Sequence, residues 1–300
     1  MFWFDLYIRD EKIWGSNMKK VILSADSTCD LGQELKERYQ VNYYPYHIIL
    51  DGKDYMDNVD IAPDVIYEAY WTKKILPKTA AINVEEYKQY FKPWISEGYE
   101  VVHLNLGSAL SSSYQNCCLA AKELGGIYPV DSCNLSSGMG HLVLDAAEMI
   151  SQGMEASQIS DTLKARTGNC HASFILDTLE FMHAGGRCSS VTALGANLLN
   201  LKPCIEVDNR SGAMGVGKKY RGNLEKVLVK YTKDKLAAYD NIRRNRIFIT
   251  HSGIDDSYIE LVRRTIQETM DFENIYVTRA SCTISCHCGP NTLGILFETE

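Results

Sequence analysis

From Met18 onward, short apolar runs alternate with stretches of helical period, the pattern of parallel strands joined by crossover helices. Val21 to Ala25 reads as a buried strand and Leu31 to Tyr39 as the helix after it. Val41 to Leu50 reads as a second strand closed by Asp51-Gly52, with helices over Asp64–Thr72 and Val84–Glu97. A strand over Val101–Leu106, a helix over Ser111–Leu124, a strand over Ile127–Val130 and a helix over Gly140–Gln152 continue the alternation. Past about residue 165 the pattern changes. An apolar helix is expected over Val191–Leu199, then a hairpin of Cys204–Val207 and Ala213–Lys218 around Asn209-Arg210-Ser211-Gly212. A long helix over Leu224–Arg244, a strand over Ile247–Thr250, a helix over Asp256–Thr269 and two final strands complete the pattern. The expected fold is α/β with two domains: a parallel, Rossmann-like one over residues 18–166 and a mixed α/β one over residues 167–300. Residues 1–17 are set apart as an N-terminal extension. They are aromatic-rich, but Asp5, Arg9, Asp10 and Glu11 interrupt any apolar core of a signal peptide.

Composition narrows the classes of function. The chain has 300 residues, 45% hydrophobic and 23% charged, as in ordinary globular proteins. A net charge of -7 speaks against nucleic acid, whose phosphates demand clustered Lys and Arg. The basic run Arg243-Arg244-Asn245-Arg246 reads as a solvated helix end. No stretch reaches the roughly 18 apolar residues of a membrane-spanning helix, so no stable membrane insertion is expected. Ten cysteines without a secretory signal, several in apolar company such as Cys117-Cys118, point to a reducing cytoplasm.

In open parallel sheets, ligands bind beyond the carboxyl ends of strands, where loops enter helix N-termini. Three such loops are rich in hydroxyls: Asp26-Ser27-Thr28-Cys29-Asp30, Gly107 to Ser113, and Asp131 to Ser137. Each alone reads as a set of helix caps, whereas three together point to a shared polar cleft. The segment Ser281 to Pro290 invites a metal site through Cys282, Cys286 and Cys288. Read as a strand, it places those thiols with Ile284 on an apolar face and Thr283, Ser285 and His287 on a polar one, which argues against zinc. His287 then reads either as a structural hydrogen-bonder or as a site residue. Asp26-Ser27-Thr28 lacks the second carboxylate of an aspartyl-phosphate motif, and Gly215-Val216-Gly217-Lys218-Lys219 lacks the spacing of a phosphate-binding loop.

Taken in order, several segments resemble the DegV family. Val21-Ile22-Leu23-Ser24-Ala25-Asp26-Ser27-Thr28-Cys29-Asp30-Leu31 is similar to its strand with Asp-Ser-Thr and Asp-Leu, and Leu106 to Gln115 to its Ser-Ser-x-Leu-Ser-Gly-Thr-Tyr loop. Val130-Asp131-Ser132, Asp177 to Arg187, Leu198 to Pro203, Lys219-Tyr220-Arg221-Gly222 and His287-Cys288-Gly289-Pro290 match others, from Met18 to the C-terminus.

The resemblance implies two α/β domains holding one fatty acid. It also implies a non-catalytic role in which a separate fatty acid kinase subunit receives the bound acid and makes its acyl-phosphate for phospholipid synthesis. Carried over residue by residue, Thr79, Ser108 and His287 form the carboxylate shell. Ser27, Gly107 and Ser111 are further binding candidates, Arg187 and Arg221 candidate partner contacts, and no metal or cofactor is implied. The chain departs from the family where Thr79-Ala80-Ala81-Ile82-Asn83 replaces a Thr-Ser-Gln-Pro-like loop and Gly107-Ser108 replaces Ser-Ser. The residues by themselves leave a rival open, a serine hydrolase or acyltransferase using Ser108 and His287, although Ser108 lacks a Gly-x-Ser-x-Gly elbow.

Overall fold

A computed structural model describes residues 20–192 and 201–300. Among the described residues thirteen strands form three sheets, and their ranges follow in chain order: β1 Val21–Asp26, β2 Asn42–Tyr44, β3 His47–Leu50, β4 Lys53–Met56, β5 Lys78–Ala80, β6 Glu100–Asn105, β7 Ile127–Asp131, β8 Cys170–Ile175, β9 Leu201–Val207, β10 Met214–Arg221, β11 Ile242–His251, β12 Ile275–Arg279 and β13 Leu293–Thr299. The first sheet is parallel throughout, in the order β2-β1-β6-β7. The second has the order β10-β9-β8-β13-β11-β12 and is antiparallel except between β11 and β12. The third is a small antiparallel sheet, β4-β3-β5. This is the expected combination of a Rossmann-like parallel sheet and a mixed one.

The helix Ser136–Ser151 lies between the two large sheets and packs on β1 and β6 of one and on β8, β11 and β13 of the other. That double duty explains its composition. Nearly every residue from Ser136 to Ala146 is buried, so the chain uses small and apolar side chains where a surface helix would carry charge. At its far end an ion cluster joins it to the second sheet. Arg246 of β11 pairs with Asp145, with Glu298 of β13 at 3.0 Å and with Glu148 at 3.1 Å, while its Nε donates to His141 Nδ1. Burial alone would raise the Glu298 carboxyl, but the Arg246 and Arg243 guanidiniums beside it hold it below its ordinary value. One apolar core accordingly runs through both halves, from Leu23 and Val102 to Phe174, Phe248 and Leu296.

A separate small core gathers Ile48, Leu50, Ile61, Ile66, Tyr67 and Tyr70 with Phe181, Cys282 and Cys286. It seats the three-stranded sheet and the helix Pro63–Lys73 over the later part of the chain.

Several expectations are corrected. The strand expected over Val41–Leu50 is two strands, because Pro45 cannot donate to a ladder and the chain turns there from the first sheet into the third. The helix from Leu224 ends at Leu236, and the basic run Arg243 to Arg246 lies within β11. The helix Ala156–Arg166 and the strands β4 and β5 were not foreseen. Cys282–Cys288 is a helix, not a strand. Most of the helix expected over Val191–Leu199 falls outside the described residues.

The helix at Cys282–Cys288 forms because remote groups satisfy its first turn. Asp57 accepts from the N–H groups of Cys282 (2.7 Å) and Thr283 (3.3 Å), and from the Thr283 hydroxyl (2.7 Å). Asp30 accepts from the Ser281 N–H at 2.8 Å, and Ser281 Oγ accepts from Ile284 N–H. These partners lie more than 200 residues away in sequence, where local periodicity cannot report them.

Candidate functional site

Helical geometry gives the segment two faces. Cys282 and Cys286, four apart, enter the small core, whereas Thr283, Ile284 and His287 face a cavity. Among the described residues no group of three or more Asp, Glu, His or Cys side chains is arranged to hold a metal.

The cavity is partly open to solvent and lies where the three sheets meet. Its apolar wall comes from every quarter of the fold: Leu106 and Leu110 after β6, Leu135 after β7, Phe174 of β8, Met182 of the helix Glu180–Gly185, and Met214 of β10. Its polar side is made of Tyr46, Thr79, Ser111, Ser112, Thr283 and His287, with Arg187 exposed at the rim.

Thr79 sits on β5, paired with Ile48 of β3, and its Oγ1 is 2.9 Å from His287 Nε2. Burial and the nearby Arg187 charge push the His287 imidazole down to about 4, so it is neutral near pH 7. The other ring nitrogen, Nδ1, is buried without a hydrogen-bond partner. The Thr79 loop is pinned at its far end. Asn83 and Glu86 form a reciprocal cap, and Ile82 N–H donates to Ser113 Oγ at 3.1 Å. Ser111 Oγ accepts from Tyr46 Oη at 3.2 Å and lies 3.0 Å from Ser113 Oγ.

The fold brings Thr79, Ser111, Arg187 and His287 to this one cavity. The other candidates lie elsewhere. Ser108 is half-buried and is not among the lining residues; its N–H donates to Asp131 Oδ1 at 3.0 Å. Gly107 lies against the Asn134 backbone, to whose carbonyl its N–H donates at 2.9 Å. Ser27 is buried, with its hydroxyl donating to Asp57 at 2.8 Å and accepting the Tyr46 N–H at 3.2 Å. Arg221 ends β10, exposed and paired with Leu201. For the hydrolase arrangement, His287 Nε2 meets Thr79 rather than Ser108, and among the described residues no carboxylate accepts from Nδ1.

Sequence reasoning missed Tyr46 and Thr283. Thr283 carried a usable signal, its spacing of four from His287, which becomes informative once the segment is read as a helix.

Relatives with known structures share this architecture. A DegV family protein from Thermus thermophilus, described for its fatty-acid binding, is 27% identical, covers 94% of this chain and 100% of its own, and superposes with a TM-score of 0.84. A Thermotoga maritima protein, 24% identical over 94% of this chain and 100% of its own, superposes at a TM-score of 0.80 and shows the fold alone. Among sequences, a DegV domain-containing protein of Clostridium perfringens (strain 13 / Type A) is 28% identical over 290 residues, 94% of this chain and all of its own length. The model of the uncharacterised DegV family matches residues 20–300, and the chain belongs to that family.

Proposed function

We propose that this protein binds one long-chain fatty acid, with the carboxylate at Thr79 and His287 and the acyl chain along the wall of Leu110, Leu135, Phe174, Met182 and Met214. The observation that carries the reading is the pairing of a neutral, half-buried donor set with a cavity whose wall is largely apolar. The likeness to the Thermus thermophilus protein, described for fatty-acid binding, supports the same ligand class.

The energetics fit a binder. Each methylene moved out of water contributes about 0.8 kcal/mol, so a long chain contributes roughly 10 kcal/mol before association costs. A carboxylate is costly to bury bare, and hydrogen bonds from Thr79, His287 and the Ser111 side of the cavity offset that cost. Arg187 at the rim places positive charge near the headgroup without burying it. An orphaned Nδ1 is poorly arranged for a general base, which needs a partner to orient it, and this supports a role in binding rather than catalysis. In this reading the protein carries the acid to a separate kinase that phosphorylates it, with Arg187 and Arg221 as candidate partner contacts.

Native mass spectrometry of protein purified without added lipid tests the ligand. A bound mass of fatty-acid size is expected; an empty protein that also ignores added palmitate and oleate overturns the reading.

A further inference from the structure

His287 is held on both sides. Its Nε2 meets Thr79, and its Nδ1 meets the helix Glu180–Gly185 at Gly185. A Cβ placed on Gly185 would lie 2.2 Å from Nδ1, 3.1 Å from Cε1 and 3.2 Å from Cγ, so only a glycine permits this approach. The contact is reciprocated two residues past His287. A Cβ on Gly289, whose φ is +71°, would lie 2.8 Å from Phe181 Cδ2 in the same short helix. Two glycine-on-ring contacts therefore fix the spacing of the two helices around the imidazole. Arg187 ties the arrangement down, donating from Nη1 to the Gly185 carbonyl at 2.7 Å, with Nε 3.5 Å from the Leu110 carbonyl.

The direction of that missing Cβ is occupied in glycine by a Cα hydrogen, which points at Nδ1. A bare ring nitrogen accepts such a C–H as a weak hydrogen bond, whereas an N–H there would set hydrogen against hydrogen with no acceptor among the described residues. We propose that Gly185 is a positioning residue that fixes His287 in the tautomer protonated at Nε2, making it an obligate hydrogen-bond donor at the cavity. Thr79 Oγ1 then accepts from Nε2–H and turns its own hydrogen toward the cavity, so the pair presents the Thr79 hydroxyl as a donor to an oxyanion. The downward push on the His287 imidazole agrees, since a second proton would have to enter at Nδ1. The donor role toward an acid rests on the fatty-acid reading above; the tautomer does not.

The test uses the full chain labelled with ¹⁵N-histidine, with long-range ¹H–¹⁵N spectra recorded from about pH 5 to about pH 8, the range in which an ordinary histidine titrates. The signals of His287, one of seven histidines, are assigned by their loss in His287→Gln. The expected result is a protonated Nε2 and a bare Nδ1 across that range, with and without palmitate. Gly185→Ala should disturb this signature and weaken palmitate retention about tenfold or more, while Ala184→Ser, at an exposed neighbour, leaves both as in the wild type. A proton on Nδ1 at neutral pH, or a Gly185→Ala protein with the wild-type His287 spectrum and palmitate affinity, overturns the proposal. If Gly185→Ala does not fold, the wild-type spectrum alone decides. If the wild type takes up no palmitate, the fatty-acid reading fails and the tautomer still stands or falls on its spectrum.

Discussion

Two regions of this protein carry hydroxyl side chains, yet they are spent differently. In the loop Asp26 to Asp30 every polar side chain but one is consumed by the fold. Asp26 accepts from Tyr87 Oη (2.7 Å) and the Leu106 N–H (2.9 Å) and meets His103 Nε2 at 3.1 Å; Ser27 serves Asp57; Asp30 accepts from Ser136 Oγ (2.6 Å) and the Ser281 N–H. Thr28 has only a long contact to Met139 sulfur. At the cavity, Thr79, Ser111 and Thr283 also have protein partners, but they stand beside space, and His287 keeps one nitrogen unpaired. Hydroxyls occur in both places. What separates a structural hub from a candidate binding site is whether the neighbours are protein on all sides.

The largest effect should come from the hub. Asp57→Ala strips the acceptor from the Ser27 and Thr283 hydroxyls and from the first N–H groups of the helix Cys282–Cys288. A loss of about 3 kcal/mol or more is expected in denaturant unfolding, because several buried donors are orphaned together. At the cavity the expectation reverses. Thr79→Val keeps the shape and should change stability by less than about 1 kcal/mol, yet weaken palmitate binding about tenfold by isothermal titration. A large stability loss in Thr79→Val, with binding unchanged, would erase the contrast.

The two regions should also differ in the sign of their pH response. Burial raises Asp30 from 3.8 to about 7, so the folded protein holds a proton that the unfolded chain releases. Its contribution is complete below about pH 4 and is lost as pH rises toward 7. His287 is lowered from 6.5 to about 4, so the unfolded chain binds the proton first, and this contribution is lost as pH falls from 6.5 toward 4. Relative to wild type, Asp30→Asn should gain stability as pH rises through that window. His287→Gln should gain as pH falls, with thermal midpoints of the two variants at pH 4.5, 5.5 and 7 as the readout. The smallest change is expected for Ser108→Ala. With its side chain off the cavity wall, palmitate affinity should shift by no more than about twofold. A tenfold loss would bring Ser108 into the carboxylate shell.

Most of the fold was legible because its strands and helices carry their own periodicity; the helix Asp256–Thr269 and the hairpin β9–β10 are examples. The failures share a cause. Pro45 divides a run that reads as one strand because its two halves join different sheets. Cys282–Cys288 alternates like a strand, but Asp30 and Asp57 impose a helix from a great distance in sequence. The candidate site was legible in Thr79 and His287 through the family resemblance. It was not legible in Tyr46, Phe174 or Met214, which nothing in their local sequence distinguishes from core residues.

A crystal structure of the chain grown with palmitate would test the central claim most directly. The account requires one acyl chain in the cavity, with its carboxylate within hydrogen-bonding distance of both Thr79 Oγ1 and His287 Nε2. An empty cavity, or a carboxylate bound away from that pair, would contradict it.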